Sequence, residues 1–327
     1  MYSINDINCW IVNLKPFDDK IASNDIIREF QLKCIESKIF GIGWHIDGFT
    51  GTLEDNKDAF LAAYSENDAY KSIVRAVNNM SKIKEGDLVI VRLRNAHYYI
   101  GMVSDKAFYK NGIGGNDYFD EILSWMCGVH EWVEFQTDEM LPSEIIGRMS
   151  MRRQSTLSIV ANHRQKLLIG AAFNILSEQK ISGVSRINIS VDNFARSLNY
   201  AELEDLVCSY IYRDIQRQYP ENNYILLPSS CKVSRPLYEF IFVCPGEKPI
   251  TCQVKNEAVI DLEKYNDDHY RKIYIFSDQG YVNEKSKHDN VEIIDRKRLF
   301  DTLLDNTEYI HRKLSAYYTF DGTGIDL

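Results

Sequence analysis

Long apolar runs, paired cysteines and clustered histidines are all missing from this sequence, and each absence removes a class of protein. No apolar stretch reaches the ~18 residues that a membrane-spanning helix needs, so no membrane partner is expected. The opening residues, Met1-Tyr-Ser-Ile-Asn-Asp-Ile-Asn8, lack the basic segment and apolar core of a signal peptide. The seven cysteines (9, 34, 127, 208, 231, 244 and 252) are odd in number and scattered, with no Cys-x-x-Cys pair. That argues against a disulfide framework and a zinc knuckle, and for reduced thiols in the cytoplasm. The histidines make no i, i+4 pair, so no zinc hydrolase is indicated, and no Gly-x-Ser-x-Gly points to acyl transfer. The glycine-rich run at 111–116 lacks the Lys-Ser/Thr of a phosphate-binding loop and reads as a hairpin tip. Internal repeats and low-complexity segments are absent. Excess positive charge is absent too: the net charge of −9 argues against general affinity for nucleic acid, which depends on neutralising phosphates. A local basic stripe is still compatible with it. Arg148, Arg152 and Arg153, followed by His163, Arg164 and Lys166, form the candidate, and the three arginines are the expected phosphate contacts.

What is present begins with residues 237–256, Leu-Tyr-Glu-Phe-Ile-Phe-Val-Cys-Pro-Gly-Glu-Lys-Pro-Ile-Thr-Cys-Gln-Val-Lys-Asn. Aromatic and β-branched residues on both arms of a Pro-Gly turn predict a β-hairpin. Side chains alternate faces along a strand, so Gln253 and Lys255 project together while Val254 points away. Pairing of the arms brings Glu239 beside them. A carboxylate, an amide oxygen and an ammonium at one sheet edge suit a hard divalent cation with a lysine steadying water or phosphate charge.

An acid on one strand and Gln-x-Lys on the next resembles the PD-(D/E)xK nuclease superfamily, in its Mrr-like restriction branch where Gln often replaces the second acid. The resemblance covers roughly residues 200–310. Upstream, residues 202–213 carry apolar side chains at 203, 206, 207, 210 and 211, a helical stripe. This matches the family's first core helix, whose glutamate points at the metal; Glu204 takes that place. Downstream, residues 272–278 and 291–295 read as strands and 296–306 as a helix. The chain departs from the family in having Glu239 where Asp is usual, with no Pro-Asp pair before it. The resemblance implies Mg2+ held by Glu204, Glu239 and Gln253, with Lys255 completing the catalytic set.

Residues 1–150 differ in texture. Residues 9–14 form a short strand, 23–37 a helix that Asn24 can cap, and 69–80 a second helix. Between them lies Phe40-Gly-Ile-Gly-Trp44. Then come Gly86-Asp-Leu-Val-Ile-Val-Arg-Leu93 and the returning strand His97-Tyr-Tyr-Ile-Gly-Met-Val103, with Asn95-Ala96 in the turn. A later strand at 129–135 and a Pro-containing exit at 141–146 follow. The order resembles the PUA-like superfamily, particularly its EVE-like and YTH-like domains, which are read as binders of a modified or flipped nucleobase. The resemblance implies an aromatic pocket, with Trp10, Trp44, Tyr98, Trp125 and Trp132 as candidates and Asn13 or Asn95 reading the base edge. Base–aromatic stacking of about 1–3 kcal/mol would offset the lost base stack.

The expected fold is mixed α/β (α+β): a PUA-like β-barrel domain at 1–153, a helical connector at 154–199 with a helix over 156–177, and a restriction-endonuclease-like α/β/α domain at 200–327. The expected activity is that of a modification-dependent defence or restriction endonuclease, a Mg2+-dependent hydrolase reading a flipped base. Its partner is nucleic acid, DNA in preference to RNA, and cutting both strands implies a homodimer. The alternatives are a retired nuclease fold acting as sensor or recruiting subunit, and an RNA-directed nuclease.

Overall fold

The computed structural model describes residues 2–15, 23–44, 46, 49, 51–94, 97–109, 122–135, 143–150, 155–184, 186–198, 200–227, 238–256, 258–305 and 317–320. The chain is mixed α/β and divides into two compact units, Met1–Arg186 and Ile187–Leu327. The boundary falls inside the expected connector, whose long helix belongs to the first unit and whose residues 187–199 belong to the second.

The first unit is built on a sheet of eight strands: β1 (Cys9–Val12), β2 (Ile39–Ile42), β3 (Gly51–Thr52), β4 (Leu88–Arg92), β5 (Tyr98–Val103), β6 (Phe108–Tyr109), β7 (Trp125–Phe135) and β8 (Leu157–Ile159). They run in the order β3-β6-β7-β5-β4-β1-β8, with β2 added on β7. β1 and β4 are parallel and every other pair is antiparallel. β7 is long enough to serve two groups of partners. Its first residues pair with β2 and β6, and its later ones with β5. The register shifts between Met102 and Val103, an irregularity of the kind that bends a strand and raises its twist. Gly101 lies beside it, and a Cβ there would meet Val129 Cγ1 at 2.6 Å and Trp132 Cε3 at 2.8 Å, so the close approach of β7 requires glycine.

Helices α1 (Asn24–Glu36), α2 (Leu53–Ala63) and α3 (Tyr70–Met80) surround this sheet's core, followed in the chain by α4 (Ser143–Ser150) and α5 (His163–Leu176). Two expectations change here. Ser23, one residue earlier than expected, caps α1, its hydroxyl accepting from Ile26 N at 3.3 Å. Residues expected to begin a helix at 156 instead form β8 against β1, because Asn162 starts α5 by accepting from Gln165 N. The apolar run of α5, residues 167–173, is buried, and Ser177 just beyond it donates to Glu131 Oε2 at 2.7 Å on β7.

The second unit centres on a five-stranded sheet in the order β10-β11-β12-β14-β16, with β10 at Ile225–Leu226, β11 at Phe240–Val243, β12 at Ile250–Lys255, β14 at Lys272–Ser277 and β16 at Val291–Ile293. The β10–β11 and β11–β12 pairs are antiparallel, whereas β12–β14 and β14–β16 are parallel. Short strands β13 (Ile260–Asp261) and β15 (Tyr281–Val282) pair beside it, and β9 (Ile187–Asn188) pairs with β17 (Tyr318–Thr319). Helix α6 (Phe194–Ser197) precedes α7 (Tyr200–Gln218), which packs on β12 and on α8 (Arg296–Asp305). The stripe Leu203, Leu206, Val207, Tyr210 and Ile211 is buried, as the period of 3.6 requires. The expected hairpin is β11 and β12. Glu247 N donates to Cys244 O at 3.1 Å across Pro245-Gly246, and Gly246 has φ 81°, a turn that needs glycine at its third position.

Candidate active site and candidate base pocket

The β11–β12 register fixes the first contact. Phe240 pairs with Cys252 and Ile241 with Thr251, so Glu239, whose N–H donates to Cys252 O at 2.9 Å, stands opposite Gln253. Gln253 Nε2 donates to Glu239 Oε1 at 2.5 Å, and Lys255 Nζ, two residues on, lies 3.3 Å from the same oxygen. Gln253 is buried at 1% exposure, whereas the Lys255 side chain keeps 44% and that of Glu239 26%. The cluster therefore has a dry amide at its base and a cation reaching water at its mouth.

Glu204 stands on α7, which packs on β12. Burial, then the Glu239 carboxylate, then that of Asp205 push its carboxyl up to about 7, and Lys255 only partly opposes them. Glu204 therefore lies within electrostatic reach of Glu239 and Lys255 in a partly dehydrated place.

Tyr265 was not singled out from the sequence. Its hydroxyl lies 3.5 Å from Gln253 Oε1, and burial pushes its pKa up to about 12, so it remains an O–H donor at neutral pH. It belongs to a group of buried tyrosines with Tyr238 and Tyr270 against the second unit's core. Nothing local in the sequence around 265 marks it, because only the fold of the β13 region returns it to β12. Asp278 lies just past β14. Its side chain is 5% exposed and accepts from Arg296 Nη2 at 2.6 Å, tying the start of α8 to the strand end.

The donor set suits a hard cation: two carboxylates and an amide oxygen, with no sulfur or imidazole among them. Among the described residues, no group of three or more His, Cys, Asp and Glu side chains gathers that could hold a metal. Any cation here would depend on Gln253 as third donor, and Gln253 now turns its nitrogen toward Glu239. A half-turn about the last side-chain bond exchanges the amide oxygen and nitrogen in place. Tyr265 can serve either orientation, since a hydroxyl both donates and accepts.

In the first unit the aromatic candidates separate. Trp10, Tyr98 and Trp125 lie at 0%, 2% and 0% exposure. They fill the core and present no face to a base. Trp10 Nε1 donates to Asp87 Oδ2 at 2.8 Å, and Asp87, itself fully buried, also accepts from Asn8 N at 2.8 Å and Lys84 N at 3.2 Å. The Gly-Asp-Leu-Val motif therefore supplies a buried acceptor that fixes the tryptophan strand. Trp125 packs edge-on against Phe60, with ring centres 5.5 Å apart. Alternation along a strand gave no means of separating such rings from pocket walls.

Trp44 and Trp132 remain partly exposed. Trp44 has φ 68°, a left-handed backbone that a bulky residue rarely adopts, and such conformations concentrate at ligand sites. Ser124 Oγ holds the turn before it by donating to Ile42 O at 3.1 Å and to Gly43 O. Trp132 packs edge-on against Phe40 at 6.4 Å, and its buried Nε1 has no acceptor among the described residues. Asn13 is half-buried and its backbone N–H donates to Thr156 O at 2.9 Å. Arg148 Nη2 reaches Ile159 O at 3.2 Å, and burial lowers its pKa. Asn95, Arg152, Arg153 and the 111–116 run lie outside the described residues.

No family model, curated protein or solved structure matches this chain. Among the described residues no helix is long and apolar enough to cross a membrane.

Proposed function

We propose that the second unit is a Mg2+-dependent phosphodiesterase of PD-(D/E)xK type and that the first is a PUA-like reader of a modified nucleobase, together a modification-dependent endonuclease. The observation that carries this reading is the meeting of Gln253 and Lys255 at one oxygen of Glu239, beside a Glu204 whose proton affinity is raised. Burial and the Glu239 carboxylate raise the Glu204 pKa, and a cation near both carboxylates would relieve that repulsion.

Glu204, Glu239 and, through its amide oxygen, Gln253 would hold the magnesium. When bound, the ion supplies Lewis acidity and a water that ionises more easily. The chain's own part is positional. The β11–β12 ladder fixes Glu239 against Gln253, and Tyr265 keeps the amide plane from rotating freely. Lys255, a compact ammonium at the water-facing side, offers donors to a non-bridging phosphate oxygen and stabilises charge as it develops there. In the first unit, Trp44 and Trp132 are the surviving stacking candidates.

The direct test is cleavage of end-labelled DNA, with and without modified bases, in Mg2+ or EDTA. Cleavage of the modified duplex in Mg2+ alone is expected. Binding without cleavage in any metal assigns the chain instead to a sensor on a retired nuclease fold, a reading favoured by the presence of only two carboxylates in the cluster. Cleavage of RNA alone assigns it an RNA substrate.

A further inference from the structure

The first unit contains a cavity of about 380 Å3 between the start of α2 and the end of α3. Leu53, Met80, Ile83 and Ala107, all buried, form its floor. Its rim carries Lys57, Lys82, Lys84 and Lys106, with Glu54 as the one carboxylate in the lining. Four lysines thus surround one opening in a chain of net charge −9.

The lysines arrive from separate parts of the chain. Lys57 stands on α2, Lys106 lies between β5 and β6, and Lys82 and Lys84 flank Ile83 in the turn after α3. Burial of Ile83 leaves both flanking lysines at the surface. Lys84 is held by a carbonyl, whereas the partners of Lys57 and Lys106 are weak. Lys57 Nζ donates to Ser81 Oγ at 3.3 Å, and Lys84 Nζ donates to the carbonyl of Asp6. Lys106 lies 3.4 Å from Glu54, but these side chains are 70% and 80% exposed, so water screens that pair heavily. Among the described residues, neither Lys57, Lys82 nor Lys84 is ion-paired to a carboxylate. Attraction to the end of α3 accounts for Lys82 alone. The N-terminus of α2, capped by Thr52, lies at the same opening, where Glu54 and Asp55 of its first turn already complement its positive end.

We infer that this cavity binds phosphate oxyanions of a nucleic-acid strand, contacting its backbone and not its bases. Flexible ammonium groups around an apolar floor are point charges; they attract phosphate but lack the planar donor pattern that reads a base edge. Lys82, Lys84 and Lys106 are exposed, which suits a strand crossing the opening more than an enclosed nucleotide. The site differs from the Arg148 stretch and needs neither cleavage nor base recognition.

The experiment uses the full chain in EDTA, so that cleavage plays no part. Anisotropy of a labelled single strand and its duplex is titrated across a range of salt concentrations for wild type, for Lys57→Ala/Lys82→Ala/Lys106→Ala, and for Lys82→Ala/Lys106→Ala, with melting curves for each. Lys71→Ala/Lys180→Ala removes charge from exposed positions outside the cavity. The triple variant is expected to melt like wild type, to bind at least about tenfold more weakly at low salt, and to show a log–log salt slope shallower by about 2–3. The double cavity variant should fall between, and the control should match wild type. An unchanged slope in the triple variant overturns the inference, as does an equal loss in the control or no wild-type binding at low salt. Inorganic pyrophosphate binding in calorimetry without oligonucleotide binding also overturns it, in favour of a small anion.

Discussion

Glu239 and Gln253 stand opposite each other across the β11–β12 ladder, and the Gln253 amide donates to Glu239 Oε1 at 2.5 Å. That pairing turns two ordinary strand residues into the floor of a site, because Lys255 on the same face is then bound to reach the same carboxylate.

Glu204 makes the site sensitive to pH. Its folded pKa of about 7 lies above the ordinary 4.5, so between these values the folded chain holds a proton the unfolded chain has lost. Stability from this group is therefore greatest at low pH and declines as pH rises through that window. Allowing for its partial exposure, the loss is about 1–2 kcal/mol. Glu204→Gln should flatten that part of the stability–pH profile, measured by denaturant melts from acid to mildly alkaline pH. Mg2+ binding should move the opposite way. Calorimetry should show affinity falling below about pH 7, because protons compete with the ion for Glu204.

Asp87 should prove structural. Asp87→Ala leaves the Trp10 indole and the Asn8 and Lys84 amides without their acceptor in a closed core. A loss of about 3–5 kcal/mol is expected, measured by chemical denaturation of the full chain. Asp87→Asn, which keeps one oxygen, should lose less.

Trp10 and Trp44 should respond differently to truncation. Trp10→Ala empties a fully buried position and should lower stability by about 3–5 kcal/mol. Trp44→Ala, at a half-buried ring on the edge of the core, should lower stability less than Trp10→Ala while weakening binding of a modified-base oligonucleotide by about 1–3 kcal/mol. Melts and titrations on the same two proteins decide it. A large stability loss at Trp44 with normal binding would place that ring in the core.

The parts of this architecture legible in the sequence are those set by short-range periodicity. The Pro245-Gly246 turn and the alternation on its arms specified the Glu239–Gln253 register, and the apolar spacing at 203–211 specified the buried face of α7. The aromatic residues were not legible in this way. Trp10, Trp44 and Trp125 all lie in or next to strands, and what separates them is the long-range β1–β4 and β2–β7 pairing. Residues 156–162 read as helix because their apolar content continues into α5. A strand there becomes favourable only when β1 offers an edge. Tyr265 and the lysine cavity come from segments distant in the chain, so no window of sequence contains them.

The most direct test of the central claim is cleavage of a modified DNA duplex by wild type and Lys255→Ala, each in Mg2+ and in EDTA. Lys255 is 44% exposed and contributes little to the core, so the variant should melt like wild type. Cleavage is expected from wild type in Mg2+ and in none of the other three conditions. Equal cleavage in all four would place the chemistry away from Glu239, Gln253 and Lys255 and contradict the assignment.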